Sequence, residues 1–407
     1  MSGAYSKSQS LGSNHRFVKL FWAHFLSLIG NGLTMSAIGL LAYELAGDEA
    51  AAVIGITFAI RIFILVILAP VAGQIAHYLG EKATMVVCQL FRGAVVLGFF
   101  FAETIPEIYV LAALMICGSA LFVPVYKALI PSVVSSQAYP RALSYGTMAY
   151  DVAAVVSPAL AALVISIVSF RENFLIHTGT LWISMLLIAR LDLGSITLSR
   201  NRKRAAARYT LFFGLKEMLW RPRLRRSIWL GLRVSIAGSF ISVATVQYVK
   251  ADLGLSDVAY ALTMMAYGLG STLGALVYGR ATESVRRGML KAAFPTLMIA
   301  LTSAAVSQAY NVLLMAWFFA GIGHNVYLIA STRLLAENSL AEERTHLYGA
   351  QFALSHAGWC LTCPLAGLLT NQWGFHVTAW FFAALFLLVV LALPLRMEQF
   401  ENARGAV

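Results

Sequence analysis

The sequence predicts an all-helical integral membrane protein: twelve transmembrane helices in two pseudo-symmetric six-helix bundles, with the N and C termini cytoplasmic. Three observations carry this expectation. Of 407 residues, 59% are hydrophobic and 12% charged, about half the charge of an average soluble domain. The apolar residues fall in runs of about 20, the length a helix needs to cross a bilayer. Lys and Arg gather in alternate loops, as they do on the cytoplasmic side of membranes. A soluble globular domain and a disordered chain are excluded. An outer-membrane barrel, with alternating strands of about 10 residues, is disfavoured.

The first half holds apolar runs at 21–45, 52–76, 83–102, 108–127, 144–169 and 174–192. Each is bounded by charges or turn residues. The second half holds runs at 227–249, 258–280, 289–309, 311–334, 348–371 and 375–396. Helices are expected because lipid offers no water to an unpaired backbone. The domains expected are 1–192, a basic linker 193–226, and 227–407. Within the linker, 209–220 reads as a short surface helix with Leu211, Phe212, Leu215 and Leu219 on one face.

Placing the N terminus inside puts Lys19, Lys82, Lys127, Arg280, Arg286, Arg287, Arg333 and the run Arg202-Lys203-Arg204 on the cytoplasmic side. The outer loops keep only Arg171 and Lys250 as cations, beside Asp48, Glu49, Glu103, Glu107, Asp252 and Asp257. The net charge of +12 therefore reads as membrane sidedness and contact with anionic lipid headgroups, with no nucleic acid as partner. Cys88, Cys117, Cys360 and Cys363 lie in apolar runs and make no disulfide framework.

The halves echo each other. Val156-Ser157-Pro158-Ala159-Leu160 in the fifth run matches Thr362-Cys363-Pro364-Leu365-Ala366 in the eleventh. A repeat of this length points to a duplicated six-helix unit. Pro124, Pro158 and Pro364 are expected to bend their helices.

The segment after the second run reads Gly73-Gln74-Ile75-Ala76-His77-Tyr78-Leu79-Gly80-Glu81-Lys82. With the six-plus-six pattern, it resembles the Gly-x-x-x-Asp-x-x-Gly-x-Lys/Arg loop of the major facilitator superfamily of secondary transporters. The resemblance implies a gating loop built from Gly73, His77, Gly80 and Lys82. His77 stands where the family has Asp, which implies a gate contact that is missing or responds to pH. Ala149-Tyr150-Asp151-Val152 and Gln351-Phe352-Ala353-Leu354-Ser355-His356-Ala357-Gly358-Trp359 are similar to the branch containing the enterobactin exporter and nickel-resistance transporters. That likeness implies export across a bacterial inner membrane, coupled to protons. The His-rich tail common among nickel-resistance members is absent from 401–407.

Charges inside a membrane are costly and mark sites. The cations are Arg61, Arg92 and Arg233, and Asp151 is the acid deepest in a span. Asp151, His356 and His77 are the candidate proton carriers; the bland alternative for Asp151 is an ion pair with Arg61 or Arg92. Candidate substrate contacts are Arg61, Arg92, Arg233, Asn31, Tyr150, His324, Asn325, Gln351 and Trp359. The excess of cations tilts the substrate toward an anionic or chelating metabolite such as a siderophore. His356, Cys360 and Cys363 share a helix face at i, i+4 and i+7, which sets a transition-metal cargo as an alternative. Multidrug efflux, siderophore import and a non-transporting scaffold or receptor complete the alternatives. No nucleotide-binding loop and no nucleophile–base set is present, so neither an enzyme nor a resident cofactor is expected, and the chain is expected to act as a monomer.

Overall fold

The computed structural model describes residues 11–68, 75, 78–135, 138–192, 213–339 and 344–393. Gly73 and His77 of the expected gating loop lie outside the described residues, as does most of the basic linker. Asp151 falls on a described helix, but its side chain lies outside what is described.

Among the described residues the fold is helical throughout. The first half contains α1 (His15–Ala46), α2 (Ala50–Leu68), α3 (Glu81–Phe100), α4 (Ile105–Val133), α5 (Tyr139–Ile167) and α6 (Glu172–Ala189). After the linker come α7 (Phe213–Trp220), α8 (Pro222–Gln247), α9 (Asp257–Arg280), α10 (Glu283–Val306), α11 (Tyr310–Glu337) and α12 (Arg344–Ala392). The last two expected runs form one element that breaks at Gly374, where φ is 76°. Only glycine adopts that conformation without strain. Seven helices among the described residues are long and apolar enough to cross a membrane.

Polar contacts define two faces. On one, Arg16 pairs with Asp192, Lys19 donates to the Arg190 carbonyl and Lys82 to the Leu191 carbonyl. These tie the starts of α1 and α3 to the end of α6. In the second half, Arg333 at the end of α11 bridges to Glu283 at the start of α10 at 2.7 Å. We call this the basic face. On the opposite, acidic face, Arg171 reaches Glu44 and the Phe100 carbonyl, both at 2.7 Å, joining the ends of α1 and α3 to the start of α6. Lys250 pairs with Asp257 there, and Glu107 accepts from the Glu103 and Thr104 amides to cap α4.

The short helix α7 covers Phe213–Trp220, the described part of the surface helix expected at 209–220. Gly214 and Met218 are its buried positions, while Leu219 and Trp220 are exposed. Met218 packs with Leu224, Leu335, Leu347 and Ala350. Protein contact therefore takes the Gly214–Met218 face, and Leu219 of the expected surface stripe stays outside the core. Leu211 and Phe212 lie outside the described residues.

Candidate functional site

The two halves meet through α2 with α12, α5 with α9, and α1 and α2 with α8. The named contacts lie toward the acidic face. A Cβ on Gly55 would sit 2.5 Å from the Cys363 carbonyl oxygen, and one on Gly39 would sit 2.6 Å from the Tyr260 hydroxyl. Gln247 accepts from the Ala51 amide at 3.2 Å, and Lys250 lies over the Tyr43 ring.

Toward the basic face, the same helices open. Helix α1 touches α2, α4, α5, α6, α8 and α9, so protein surrounds it. Its acidic half is buried almost continuously from Leu33 to Ala42. Its basic half keeps a part-exposed stripe through Trp22, Phe25, Leu28, Gly32 and Met35. Helix α8 repeats the pattern: buried from Arg233 to Ile241, with Arg225, Ile228, Trp229 and Leu232 accessible. Exposure on helices enclosed by protein means a cavity, closed at the acidic face and open at the basic one.

The buried cations divide into two kinds. Arg92 is almost completely buried. Its guanidinium donates to Ser27 Oγ at 2.9 Å, Gln89 Oε1 at 2.7 Å and Asn31 Oδ1 at 2.8 Å. Gln89 continues to Ser184 Oγ at 2.6 Å, which donates to the Ala23 carbonyl. Close by, His177 Nδ1 shares a 2.6 Å hydrogen bond with Thr34. Neutral oxygens from α1 and α3 thus solvate Arg92, and Ser184 of α6 joins the network through Gln89, stitching the first half together. Arg233 is equally buried; it donates to the Leu393 carbonyl at 2.6 Å and lies over the Tyr327 ring. It caps the end of α12, where a cation meets the negative pole of the helix.

Arg61 differs. It is half-buried on α2, donates to the Met35 sulfur and lies 5.8 Å from the Phe58 ring centroid. Sulfur is a weak acceptor. Among the described residues these are its named partners, leaving most of its N–H donors for water or ligand.

In the second half, Trp359 and His324 converge on Gly238 of α8, where a Cβ would stand 2.8 Å from His324 Cε1. Tyr267 meets His324 edge-on at 5.6 Å. Among the described residues His324 Nδ1 is buried without a partner. Tyr150 is exposed. Asn325 instead bonds Ser271, and Gln351 bonds Ser331, so both hold helices together.

The metal face is not assembled: among the described residues no group of three His, Cys, Asp or Glu is placed to hold an ion. His356 Nδ1 engages its own Phe352 carbonyl at 2.8 Å, while Cys363 is buried where α12 meets α2. Gly80 has φ 84° before α3, and Lys82 follows it onto Leu191. Tyr267, Gly238, Ser27 and Ser184 were not singled out by sequence. Tyr267-Gly268-Leu269-Gly270 offered a weak signal, a polar aromatic beside a close-packing glycine stripe.

Two groups of long apolar helices, packed together toward one face and with part-exposed stripes on α1 and α8 toward the other, are the architecture of an integral membrane protein. The family model of the Major Facilitator Superfamily matches residues 20–242 and 228–405, and the chain belongs to that superfamily. It is 22% identical over 261 residues to an uncharacterized MFS-type transporter, YfiS, of Bacillus subtilis (strain 168). That match spans 64% of this chain and 60% of the relative. Among solved structures, the nucleoside transporter NupG superposes with a TM-score of 0.69 at 13% identity, covering 95% of this chain and 99% of that one. The human organic anion transporter MFSD10 gives 0.63 at 15%, covering 93% and 99%. At these identities the likeness is one of fold.

Proposed function

We propose that the chain is a proton-coupled secondary transporter in a bacterial inner membrane, exporting a small anionic or chelating metabolite such as a siderophore. Its twelve spans form two bundles, 1–192 and 227–407, joined by the basic linker. Both termini and the basic face are cytoplasmic, by the charge asymmetry of the loops. The observation that carries the reading is the cavity: α1 and α8 are sealed in their acidic halves and open in their basic halves. This is the form that loads from the cytoplasm in alternating access. Arg61, which among the described residues has the poorest partners of the three span cations, supports an anionic cargo.

Asp151, His356 and His77 are the proposed proton carriers, with membrane lipids as the surrounding partners and a monomer as the working unit. The branch containing the enterobactin exporter remains the proposed placement within the superfamily. Export of a transition metal is the weaker reading, because the His356, Cys360 and Cys363 side chains do not gather at one point. The test is flux in proteoliposomes with an imposed pH gradient, offering siderophores, nickel and cationic dyes. Gradient-driven movement of an anionic siderophore is expected; movement of nickel alone, or of nothing, overturns the reading.

A further inference from the structure

Two contacts between the halves serve as reference heights: Gly39 with Tyr260, and Gly55 with Cys363. A helix rises about 1.5 Å per residue. From Gly55, Arg61 lies roughly 9 Å toward the basic face, and from Cys363, Trp359 lies roughly 6 Å the same way. From Tyr260, Tyr267 descends roughly 10 Å. The Arg61 guanidinium and the Trp359–His324–Tyr267 group thus occupy one layer, below the seal, on opposite halves.

Each end has its own chemistry. Near Arg61, Arg92 is already bonded to three neutral oxygens. Arg233 is committed to Leu393. Of the three span cations, all among the described residues, Arg61 is therefore the one left to meet charge, and its planar fork suits a carboxylate. The opposite end is a set of aromatic edges and faces: Tyr267 on His324 at 77°, His324 on Trp359 at 67°. Trp359 is only part-buried, and Gly238 lets the rim of its indole approach α8 closely. Such a wall favours a flat ring over a flexible alkyl chain. His324 Nδ1 adds one unsatisfied polar atom beside it.

We propose that this layer takes a small monoanion carrying an aromatic ring, with the carboxylate-type group on Arg61 and the ring against Trp359, His324 and Tyr267. The inference rests on the transporter reading above and names the substrate class of the same cavity.

The test uses the full chain in nanodiscs and three matched probes: phenylacetate, phenylacetamide and cyclohexylacetate. Calorimetry should show phenylacetate binding at least about tenfold more tightly than phenylacetamide, the size of a charge-assisted hydrogen bond. It should also bind several-fold more tightly than cyclohexylacetate. Arg61→Gln should abolish the preference for the acid over the amide, and Arg61→Lys should restore part of it. Trp359→Ala should abolish the preference for the aromatic ring, and Arg233→Gln should keep both preferences. Equal binding of acid and amide, a charge preference that survives Arg61→Gln, or no phenylacetate binding at millimolar concentration overturns the proposal. If Arg61→Gln does not fold, a wild-type-like charge preference with no loss of affinity in Trp359→Ala overturns it. In proteoliposomes, a chain that moves other solutes but ignores phenylacetate loses only this inference. A chain that binds phenylacetate through Arg61 yet moves no solute keeps the ligand class and loses the transporter reading.

Discussion

Gly55 of α2 and Cys363 of α12 touch backbone to backbone: a methyl group at Gly55 would lie 2.5 Å from the Cys363 carbonyl oxygen. Four residues further along α12, Gly367 faces the Ala51 carbonyl just as closely. The halves are therefore sealed at the acidic face by two glycines in register. The ion pair of Lys250 with Asp257 sits at the same face, but a partly exposed pair is worth only about 0–1 kcal/mol. Backbone contact excludes a larger residue whatever the charge around it.

Gly55→Leu should consequently prevent the acidic face from closing. Spin labels on Asp48→Cys and Asp252→Cys, in loops from the two halves, should report a longer distance in Gly55→Leu than in the parent. Lys250→Gln should change the distance much less. An unchanged distance in Gly55→Leu would mean that the α2–α12 contact does not govern closure.

The Arg92 network predicts a stability effect without a binding effect. Arg92→Met would strand Ser27, Gln89 and Asn31 oxygens inside the first half. Ser27 and Gln89 are fully buried, and each such group left unpaired costs about 1–3 kcal/mol, so a total loss of about 2 kcal/mol or more is expected. Thermal unfolding in detergent should show a clearly lower midpoint. Phenylacetate affinity measured well below that midpoint should stay near the parent value.

Arg233 should behave in the same way, with a smaller loss. Its bond to the Leu393 carbonyl caps the second arm of α12. A cation at a helix C terminus in a partly buried setting contributes up to about 2 kcal/mol. Arg233→Gln should lower the unfolding midpoint modestly and leave charge selectivity intact. Lost selectivity for the acid over the amide would return Arg233 to the candidate substrate contacts.

Most helix limits were legible because charges and glycines punctuate the apolar runs: the run expected at 258–280 is observed as Asp257–Arg280. Less legible was what each buried arginine does. Arg61, Arg92 and Arg233 look alike as single cations in apolar segments. Arg92 is distinguished by Gln89 three residues earlier and by Ser27 and Asn31 on a helix far away in sequence. Arg233 is distinguished by a backbone carbonyl, which no side-chain pattern encodes. Periodicity could not tell which stripe of α7 packs on protein, because a stripe facing α8 and α12 has the same period as one facing lipid. Helical spacing placed His356, Cys360 and Cys363 on one face, but no metal-holding group of three is found among the described residues. Helix geometry alone does not reveal that α2 covers Cys363.

The basic linker and the start of α8 supply the topology prediction. A single cysteine at Arg223, exposed before the core of α8, should react with a membrane-impermeant maleimide only in inverted vesicles. Modification in right-side-out cells would place the basic face outside and turn the open cavity toward the exterior.

Asp151 supplies the last prediction, and it concerns coupling. It lies on α5 in the half that leads to the basic face, two turns before Pro158. An acid at this depth is retained only if something offsets its cost. A proton carrier and a structural ion pair both satisfy that condition, and they part company when the charge alone is removed. Asparagine keeps the size and the hydrogen bonding. If Asp151 carries the proton, Asp151→Asn should lose accumulation driven by a pH gradient while exchange of labelled for unlabelled substrate across the vesicle membrane continues. The unfolding midpoint should then stay near that of the parent. A pair partner gives the opposite pattern: exchange and accumulation fall together as the variant loses stability. Full gradient-driven transport by Asp151→Asn would remove the residue from coupling and leave His356 and His77 to be tested by the same pair of assays.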